Sequence, residues 1–216
     1  LSRGVAYQIR KNNDFNYPFL KIADYLNSFD LIIANLEGPI SDKGKNQGSI
    51  YSFRADPKAV AGLKFAGFDL VSLANNHVLD WGREALLDTR ELLETGGIKT
   101  VGAGKDYAQA NEPATFEIKG QKFAFLSYTD LYPKSLAATE ILAGVSDFNV
   151  DKIKTRIADL KVQGYLTVVL MHWGEEYQTK SNATQQKLAR EFVDAGADLI
   201  VGHHPHVPQE IEEHGK

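Results

Sequence analysis

The chain contains no cysteine, which excludes disulfides, thiolate nucleophiles and cysteine-ligated metal sites. Long apolar runs are also missing, because no stretch approaches the roughly 18 residues that suggest a membrane-spanning helix, and there is no signal-peptide core. Excess positive charge is absent as well, since 28 acidic residues outnumber 24 dispersed Lys and Arg. We therefore do not expect nucleic acid as a partner.

The rest of the composition is that of an ordinary globular protein. With 216 residues, 43% of them hydrophobic and 24% charged, the chain is long enough for one domain with a substantial core. We predict a single domain over residues 1–216. The sequence opens without a methionine and stops just after a strand-like segment, so we expect this domain to be incomplete at both termini.

Four short apolar segments, each followed by polar side chains, form the main pattern. They lie at 30–36, 69–74, 167–171 and 198–202, and such runs after helical patterns are typical of buried strands in an α/β sheet. Ligands bind outside the carboxyl ends of such strands, so we expect the polar ends to share one sheet edge. The side chains that would converge there are Glu37, Asn75, Asn76, His77, His172, His203, His204 and His206.

Helical patterns alternate with these strands. Apolar periodicity predicts helices over 18–29, 56–65, 83–95, 151–162 and 183–194, and a short strand over 98–101. The segments 114–118 and 122–128 flank Lys119-Gly120-Gln121 and predict an antiparallel hairpin. The fold class is therefore α/β with a mixed sheet. The polar loop 38–49 is a candidate flap.

The converging side chains suggest a metal site. We predict Glu37, Asn76, His172, His204 and His206 as ligands of divalent cations, which accept imidazole nitrogen, carboxylate and amide oxygen. Two cations need about six to eight ligands, so one bridging carboxylate is lacking from this set. Alternatively, each residue acts locally as a turn former, a solvated acid or a core histidine. Five of the six histidines follow predicted strands, which favours the shared site.

His77 is a candidate catalytic acid. Adjacent residues on extended backbone point in different directions, so Asn76 and His77 are not expected to bind one ion together. One can bind and the other donate a proton to a leaving group, with Asp80 orienting the His77 ring. The alternative is that Asp80 caps the helix that begins near Gly82. The candidate substrate contacts are Arg3, Arg54, Asn75, His203 and Glu176.

Four motifs carry a family resemblance. They are Asn35-Leu36-Glu37-Gly38, the segment from Ala74 to Gly82, the segment from His172 to Tyr177, and the segment from Gly202 to Val207. In composition and order they resemble the motif series of the bacterial capsule-synthesis CapA family, also called the poly-γ-glutamate synthesis or PgsA family. That family is similar to calcineurin-like metallophosphoesterases. The resemblance implies a four-layer α/β/β/α sandwich with mixed sheets and a dinuclear metal centre at strand ends.

The resemblance also implies residue roles. Two divalent ions (Mn, Zn, Fe or Mg) would be held by His172, His204 and His206, and Asn76-His77 would supply an amide ligand and a proton donor. Glu37 stands where the superfamily has a bridging aspartate, and its longer side chain could alter metal spacing. The family's opening strand, which ends in Gly-Asp, is absent before Leu1, so a further aspartate ligand is expected outside this sequence.

Three functions are compatible with this resemblance. The first is a metal-dependent hydrolase in capsule (poly-γ-glutamate) biosynthesis or export, acting on a phosphoester or on an amide in an anionic polymer. The second is a non-catalytic cell-surface component that binds the polymer. The third is an intracellular phosphatase. For the first two we expect membrane-bound capsule synthesis proteins as partners and a location at the extracellular face of the membrane, anchored by a segment absent from this chain.

Overall fold

A computed structural model describes residues 1–215. The helices are α1 (Arg3–Asn12), α2 (Ala23–Leu26), α3 (Ala59–Phe65), α4 (Gly82–Thr95), α5 (Tyr107–Ala110), α6 (Val150–Val162) and α7 (Ala183–Ala195). The strands are β1 (Ile33–Asn35), β2 (Leu70–Ser72), β3 (Lys99–Val101), β4 (Ala103–Gly104), β5 (Ala114–Ile118), β6 (Gln121–Thr129), β7 (Gly144–Val145), β8 (Leu166–His172) and β9 (Leu199–His203).

The strands form two main sheets. The first is parallel, in the order β1-β2-β3, and the second has the order β5-β6-β8-β9. In the second sheet β5 and β6 form the predicted antiparallel hairpin, whereas β6, β8 and β9 are parallel. The polar strand ends therefore belong to two sheets, which corrects the expectation that they share the edge of one. A short antiparallel pair, β4 and β7, lies outside both sheets.

Three apolar clusters separate four layers. Alternating residues of a strand point to opposite faces, so Leu70 packs between the sheets while Val71 faces helices α3 and α4. In β8, Val168 and Leu170 likewise pack between the sheets, and the alternate residues face α6 and α7. The order is helices, sheet, sheet, helices, which confirms the four-layer α/β/β/α sandwich with mixed sheets.

Aspartates at the starts of two strands fix the alignment of their neighbours. Asp69 Oδ2 accepts the backbone N–H of Ile32 at 2.8 Å, and Asp198 Oδ2 accepts that of Thr167 at 2.8 Å. Each carboxylate thereby joins the start of one strand to the neighbouring strand of its sheet. These bonds give the recurring aspartate before an apolar run a structural role.

The sequence predicted most helices well. Helix α7 begins with a reciprocal capping box between Asn182 and Gln185 and ends at Gly196, whose φ is 119°. The predicted helix over 18–29 is wrong, because the segment forms only a 3-10 turn (Tyr17–Phe19) and the single turn of α2. Helix α1 was not predicted, since Ile9 alone among its residues is buried. No helix within residues 1–215 has the length and apolarity to cross a membrane.

Candidate functional site

The polar ends of β1, β2, β8 and β9 meet at one end of the sandwich. His172 Nε2 lies 2.9 Å from Asn76 Oδ1, which links the second sheet to the first. His77 Nε2 and His206 Nε2 each lie 3.9 Å from Glu37 Oε1. One ligand atom from each of Glu37, His204 and His206 falls within 4.8 Å of the others. The structure therefore brings together all five predicted metal ligands and His77.

Two buried imidazole nitrogens at this site have no hydrogen-bond partner among residues 1–215. They are His172 Nδ1 and His204 Nδ1, and their ring centroids are 5.0 Å apart. Buried polar atoms are nearly always hydrogen-bonded, so such a pair needs an explanation. A cation would satisfy nitrogens of this kind. The donor set, imidazole with one carboxylate and one amide oxygen, fits a divalent ion.

Burial keeps three of the histidines neutral. Desolvation, reinforced by His204 and other neighbouring histidines, lowers the pKa of His172 to about 2. Desolvation also lowers the pKa values of His203 and His204. Neutral imidazole is the form that coordinates a metal, so no proton has to be displaced from His172 or His204.

Glu37 is the one carboxylate among the five predicted metal ligands, which we call the ligand cluster. Partial burial raises its pKa, and the neighbouring His206 and His77 oppose this shift. Asn35 Nδ2 donates to Glu37 Oε2 at 3.2 Å and so orients the side chain. The glutamate lies two residues beyond β1, which places its carboxylate between His77 and His206.

His77 is held by a buried carboxylate. Its Nδ1 lies 2.8 Å from Asp80 Oδ2, which also accepts the backbone N–H of Phe53 at 2.7 Å. The Phe53 ring packs on the imidazole with centroids 4.2 Å apart. Asp80 makes no cap for α4, whose N-cap is Trp81 without a side-chain bond, so the structure supports the orienting role over the capping alternative. Nε2 is left to face the cluster.

The candidate flap is attached to the same turn. Gln47 N–H donates to Asp80 O at 2.9 Å and Lys45 N–H to Trp81 O at 3.2 Å. Arg54, predicted as a substrate contact, stacks its guanidinium on the Trp81 ring at 3.6 Å from the centroid. The loop therefore forms one wall beside His77.

The backbone beyond β9 is strained. His204 has a φ of 97° and His206 a φ of 59°, which side-chain-bearing residues rarely adopt. Tyr177 has a φ of 62°, donates its N–H to Pro205 O at 2.8 Å and places its ring 5.9 Å from that of His206. Such strain costs about 1–3 kcal/mol per residue and concentrates at functional sites. It turns both imidazoles toward Glu37.

The other predicted substrate contacts are placed differently. Arg3 is exposed and lies over the Phe53 ring at 4.6 Å from the centroid, and Glu176 Oε1 is 3.9 Å from His206 Nε2. Asn75 is fully buried and donates to Leu36 O at 2.8 Å, so it joins two loops instead of facing a substrate. His203 is partly buried, and this burial lowers the pKa of its ring. Of these four residues, only Arg3 and Glu176 are therefore exposed at the edge of the site.

Three aromatic residues near the site were not identified from the sequence. Phe53 packs on His77, Tyr177 lies beside His206, and the Tyr132 hydroxyl accepts the N–H of Leu79 at 3.1 Å. Tyr177 ends the third motif and could have been proposed on that ground. Phe53 and Tyr132 lie in loops without a recognisable pattern, and only the tertiary contacts identify them.

Comparison with known proteins identifies the family. The model for the family described as "Bacterial capsule synthesis protein PGA_cap" matches residues 1–216. The "Capsule biosynthesis protein CapA" of Bacillus anthracis is 34% identical over 205 residues, which cover 91% of this chain and 50% of that protein. The "PGA biosynthesis protein CapA" of Bacillus subtilis (strain 168) is 32% identical over 213 residues, covering 96% of this chain and 54% of that protein. The chain thus spans about half the length of these curated relatives.

Solved structures share the fold at low sequence identity. The NAD nucleotidase NadN of Haemophilus influenzae superposes with a TM-score of 0.55 at 16% identity, covering 89% of this chain and 36% of that one. A hypothetical protein from Thermus thermophilus gives a TM-score of 0.51 at 20% identity, covering 90% and 64% of the two chains. These matches, the family model and the two CapA relatives confirm the resemblance, and the chain belongs to the bacterial capsule synthesis protein family PGA_cap, which has a metallophosphoesterase-like fold.

Proposed function

We propose that the protein is a metal-dependent hydrolase in poly-γ-glutamate capsule biosynthesis or export. The observation that carries this proposal is the pair of buried, unpartnered nitrogens His172 Nδ1 and His204 Nδ1, placed among further ligands from four strand ends. The family and the names of its relatives support the biological process. The chemistry of the cluster supports the reaction class.

The ligand cluster would hold two divalent cations, of Mn, Zn, Fe or Mg. The unpartnered nitrogens of His172 and His204 would face the metal, and the Asn76 amide oxygen, 2.9 Å from His172 Nε2, would supply a donor beside the same ring. Glu37 and His206 would add a carboxylate and a further imidazole, which lie with His204 in one group of candidate ligands. A bound divalent cation polarises a phosphoryl or carbonyl oxygen and lowers the pKa of water.

His77 would move the proton. The bond from Nδ1–H to Asp80 fixes the tautomer and the ring plane, so Nε2 is the nitrogen that faces Glu37 and a bound substrate. A proton held at Nε2 can be donated to the departing oxygen of a phosphoester or the departing nitrogen of an amide. Phe53 covers one face of the ring and excludes water from it.

The proposed substrate is anionic. Arg3, exposed beside Phe53, is available for a phosphate or a polymer carboxylate close to the reacting bond. A capsule lies outside the cell membrane, so we propose action at the extracellular face, together with membrane-bound capsule synthesis proteins. An anchoring segment would lie in a part of the protein outside this chain.

The test measures metal content and hydrolysis together. Purified protein is loaded with each candidate metal, analysed for bound metal, and assayed with a phosphodiester and with poly-γ-glutamate. We expect His172→Ala to lose both metal and activity, and His77→Ala to keep metal but lose activity. His214→Ala is the matched control, because His214 Nε2 lies 2.9 Å from Asp194 Oδ1 and the residue is not part of the cluster.

A second function has its own predicted outcome. If the wild-type protein binds metal and polymer but hydrolyses neither substrate, the hydrolase proposal fails and a non-catalytic polymer-binding component of capsule assembly replaces it. If His172→Ala retains the full metal content, the proposed metal centre itself is wrong.

A further inference from the structure

Glu176 places a second carboxylate beside the ligand cluster. Its Oε1 lies 3.9 Å from His206 Nε2, and Glu37 Oε1 lies at the same distance from the same nitrogen. The sequence predicts Glu176 only as a substrate contact. Carboxylate oxygen and imidazole nitrogen are both ligands of divalent cations, so an imidazole flanked by two acids has the composition of a metal site.

Both separations are short enough for the two atoms to share one ion. Two ligand atoms that each lie about 2.1 Å from one cation are at most about 4.2 Å apart. The two carboxylate–imidazole pairs, at 3.9 Å, fall within this limit. They exceed hydrogen-bonding distance, so neither acid hydrogen-bonds His206 Nε2. The distances therefore allow a cation to contact His206 together with either acid.

The backbone holds Glu176 beside His206. The next residue, Tyr177, has a φ of 62° and donates its N–H to Pro205 O at 2.8 Å, which ties the loop after β8 to the loop after β9. The Tyr177 ring also lies 5.9 Å from the ring of His206. The Glu176 side chain itself is 48% exposed, so its carboxylate can turn toward an ion without displacing packed neighbours.

The charge of Glu176 acts on other members of the ligand cluster. Burial lowers the pKa of His204, and the Glu176 carboxylate opposes this shift. Burial raises the pKa of Glu37, and Glu176 contributes to the rise. Two carboxylates that influence each other in this way repel, and a cation between them removes the repulsion. Glu37 alone neutralises only a fraction of the charge of two divalent cations, so a second carboxylate makes their joint binding more favourable.

We infer that Glu176 is a metal ligand, which binds one of the two cations together with Glu37 and His206. The inference rests on the proposed metal centre and supplies the carboxylate that the ligand cluster lacks. It gives Glu176 a role in holding the metal in place of the predicted contact with substrate.

The test measures metal binding without substrate, so that a substrate contact cannot affect the result. Metal-free protein is titrated with Mn²⁺ in a calorimeter. We expect Glu176→Ala to bind one of the two ions at least about tenfold more weakly than the wild type, because it loses a charged ligand. Glu175→Ala is the matched control, because Glu175 is the adjacent exposed acid and forms no ion pair with a cluster histidine among residues 1–215.

Two further measurements separate a metal ligand from a structural residue. The visible absorption of the Co²⁺-loaded protein depends on coordination geometry, so it should change in Glu176→Ala and stay unchanged in Glu175→Ala. Urea unfolding of the metal-free protein should give the same midpoint for Glu176→Ala and the wild type, because the side chain is half exposed and has no hydrogen bond to His206.

The outcomes distinguish this inference from the proposed function. If Glu176→Ala binds Mn²⁺ as the wild type does while His172→Ala loses metal, the ligand role of Glu176 is wrong and the proposed metal centre stands. Equal weakening by Glu175→Ala would also overturn the ligand role, because surface charge alone would then explain it. A wild-type protein that binds neither Mn²⁺ nor Co²⁺ would overturn both.

Discussion

Removal of the Asp80 carboxylate is the most informative single change, because the His77 ring and the Phe53 amide both depend on it. Its Oδ2 accepts from His77 Nδ1 at 2.8 Å and from the Phe53 backbone N–H at 2.7 Å, and the residue is only 5% exposed. Asp80→Ala removes the shared acceptor of both donors without changing any predicted metal ligand. It therefore separates the orientation of His77 from metal binding.

The expected loss of stability follows from the two donors. Leaving a buried donor unsatisfied costs about 1–3 kcal/mol, so two donors give about 2–6 kcal/mol. The bond from the Phe53 amide is only partly buried, which places the expected value near the lower limit, about 2–3 kcal/mol. Asp80→Asn keeps the shape and one acceptor, so it should lose about 1 kcal/mol.

Urea unfolding measures the free energy, and native-state hydrogen exchange measures the Phe53 amide directly. We expect Asp80→Ala to lower the urea concentration at the unfolding midpoint and to abolish the protection of the Phe53 amide from exchange. Asp42→Ala removes an exposed acid of the candidate flap and should change neither. A loss below about 0.5 kcal/mol together with an unchanged Phe53 exchange rate would refute the claim that Asp80 fixes the loop and the ring.

Three further changes test the fold and the cluster. Asp69→Ala should lower the free energy of unfolding, measured in urea, by about 1–2 kcal/mol, because the backbone N–H of Ile32 loses its acceptor. The control is Asp30→Ala, which removes an exposed ion pair and should change this free energy by less than about 1 kcal/mol. Gly102→Ala should lower the free energy of unfolding by more than about 2 kcal/mol, because φ at Gly102 is 87° and the added Cβ would lie 2.7 Å from Ser127 Oγ. A melting temperature equal to that of the wild type would contradict this prediction. Mn²⁺ or Zn²⁺ at a concentration 100 times the Kd should stabilise the wild-type protein by about 2.7 kcal/mol, which a thermal scan records as a higher melting temperature. His204→Ala should lose most of this stabilisation.

Local patterns predicted the elements whose residues have one clear environment. Helices α4, α6 and α7 each bury one face, and their apolar periodicity placed their bounds within one or two residues of the structure. The β5–β6 hairpin was predicted from its turn, where Lys119 and Gly120 separate the two strands. Helix α1 was missed although its apolar residues Val5 and Ile9 are spaced for one helical face, and only Ile9 of its residues is buried.

The candidate site was predicted in its members but not in its contacts. His172 and Asn76 are 96 residues apart, and no sequence pattern shows that their side chains meet at 2.9 Å. Asn75 has the chemistry of a substrate contact, but it is fully buried, whereas Arg54, stacked on Trp81, stays a prediction. Chemical type was sufficient for selecting candidates, whereas burial separated those that face the cluster from those that support it.

The sequence alone determined which residues could carry chemistry here, the alternation of helices and strands, and the family. Those properties are encoded by neighbouring residues and motif order. The tertiary structure decided the division of the strands between two sheets, the placement of Glu37 between His77 and His206, and the support of His77 by Asp80 and Phe53. These depend on packing between segments far apart in the chain, where distance and burial, which no local pattern contains, set the interactions.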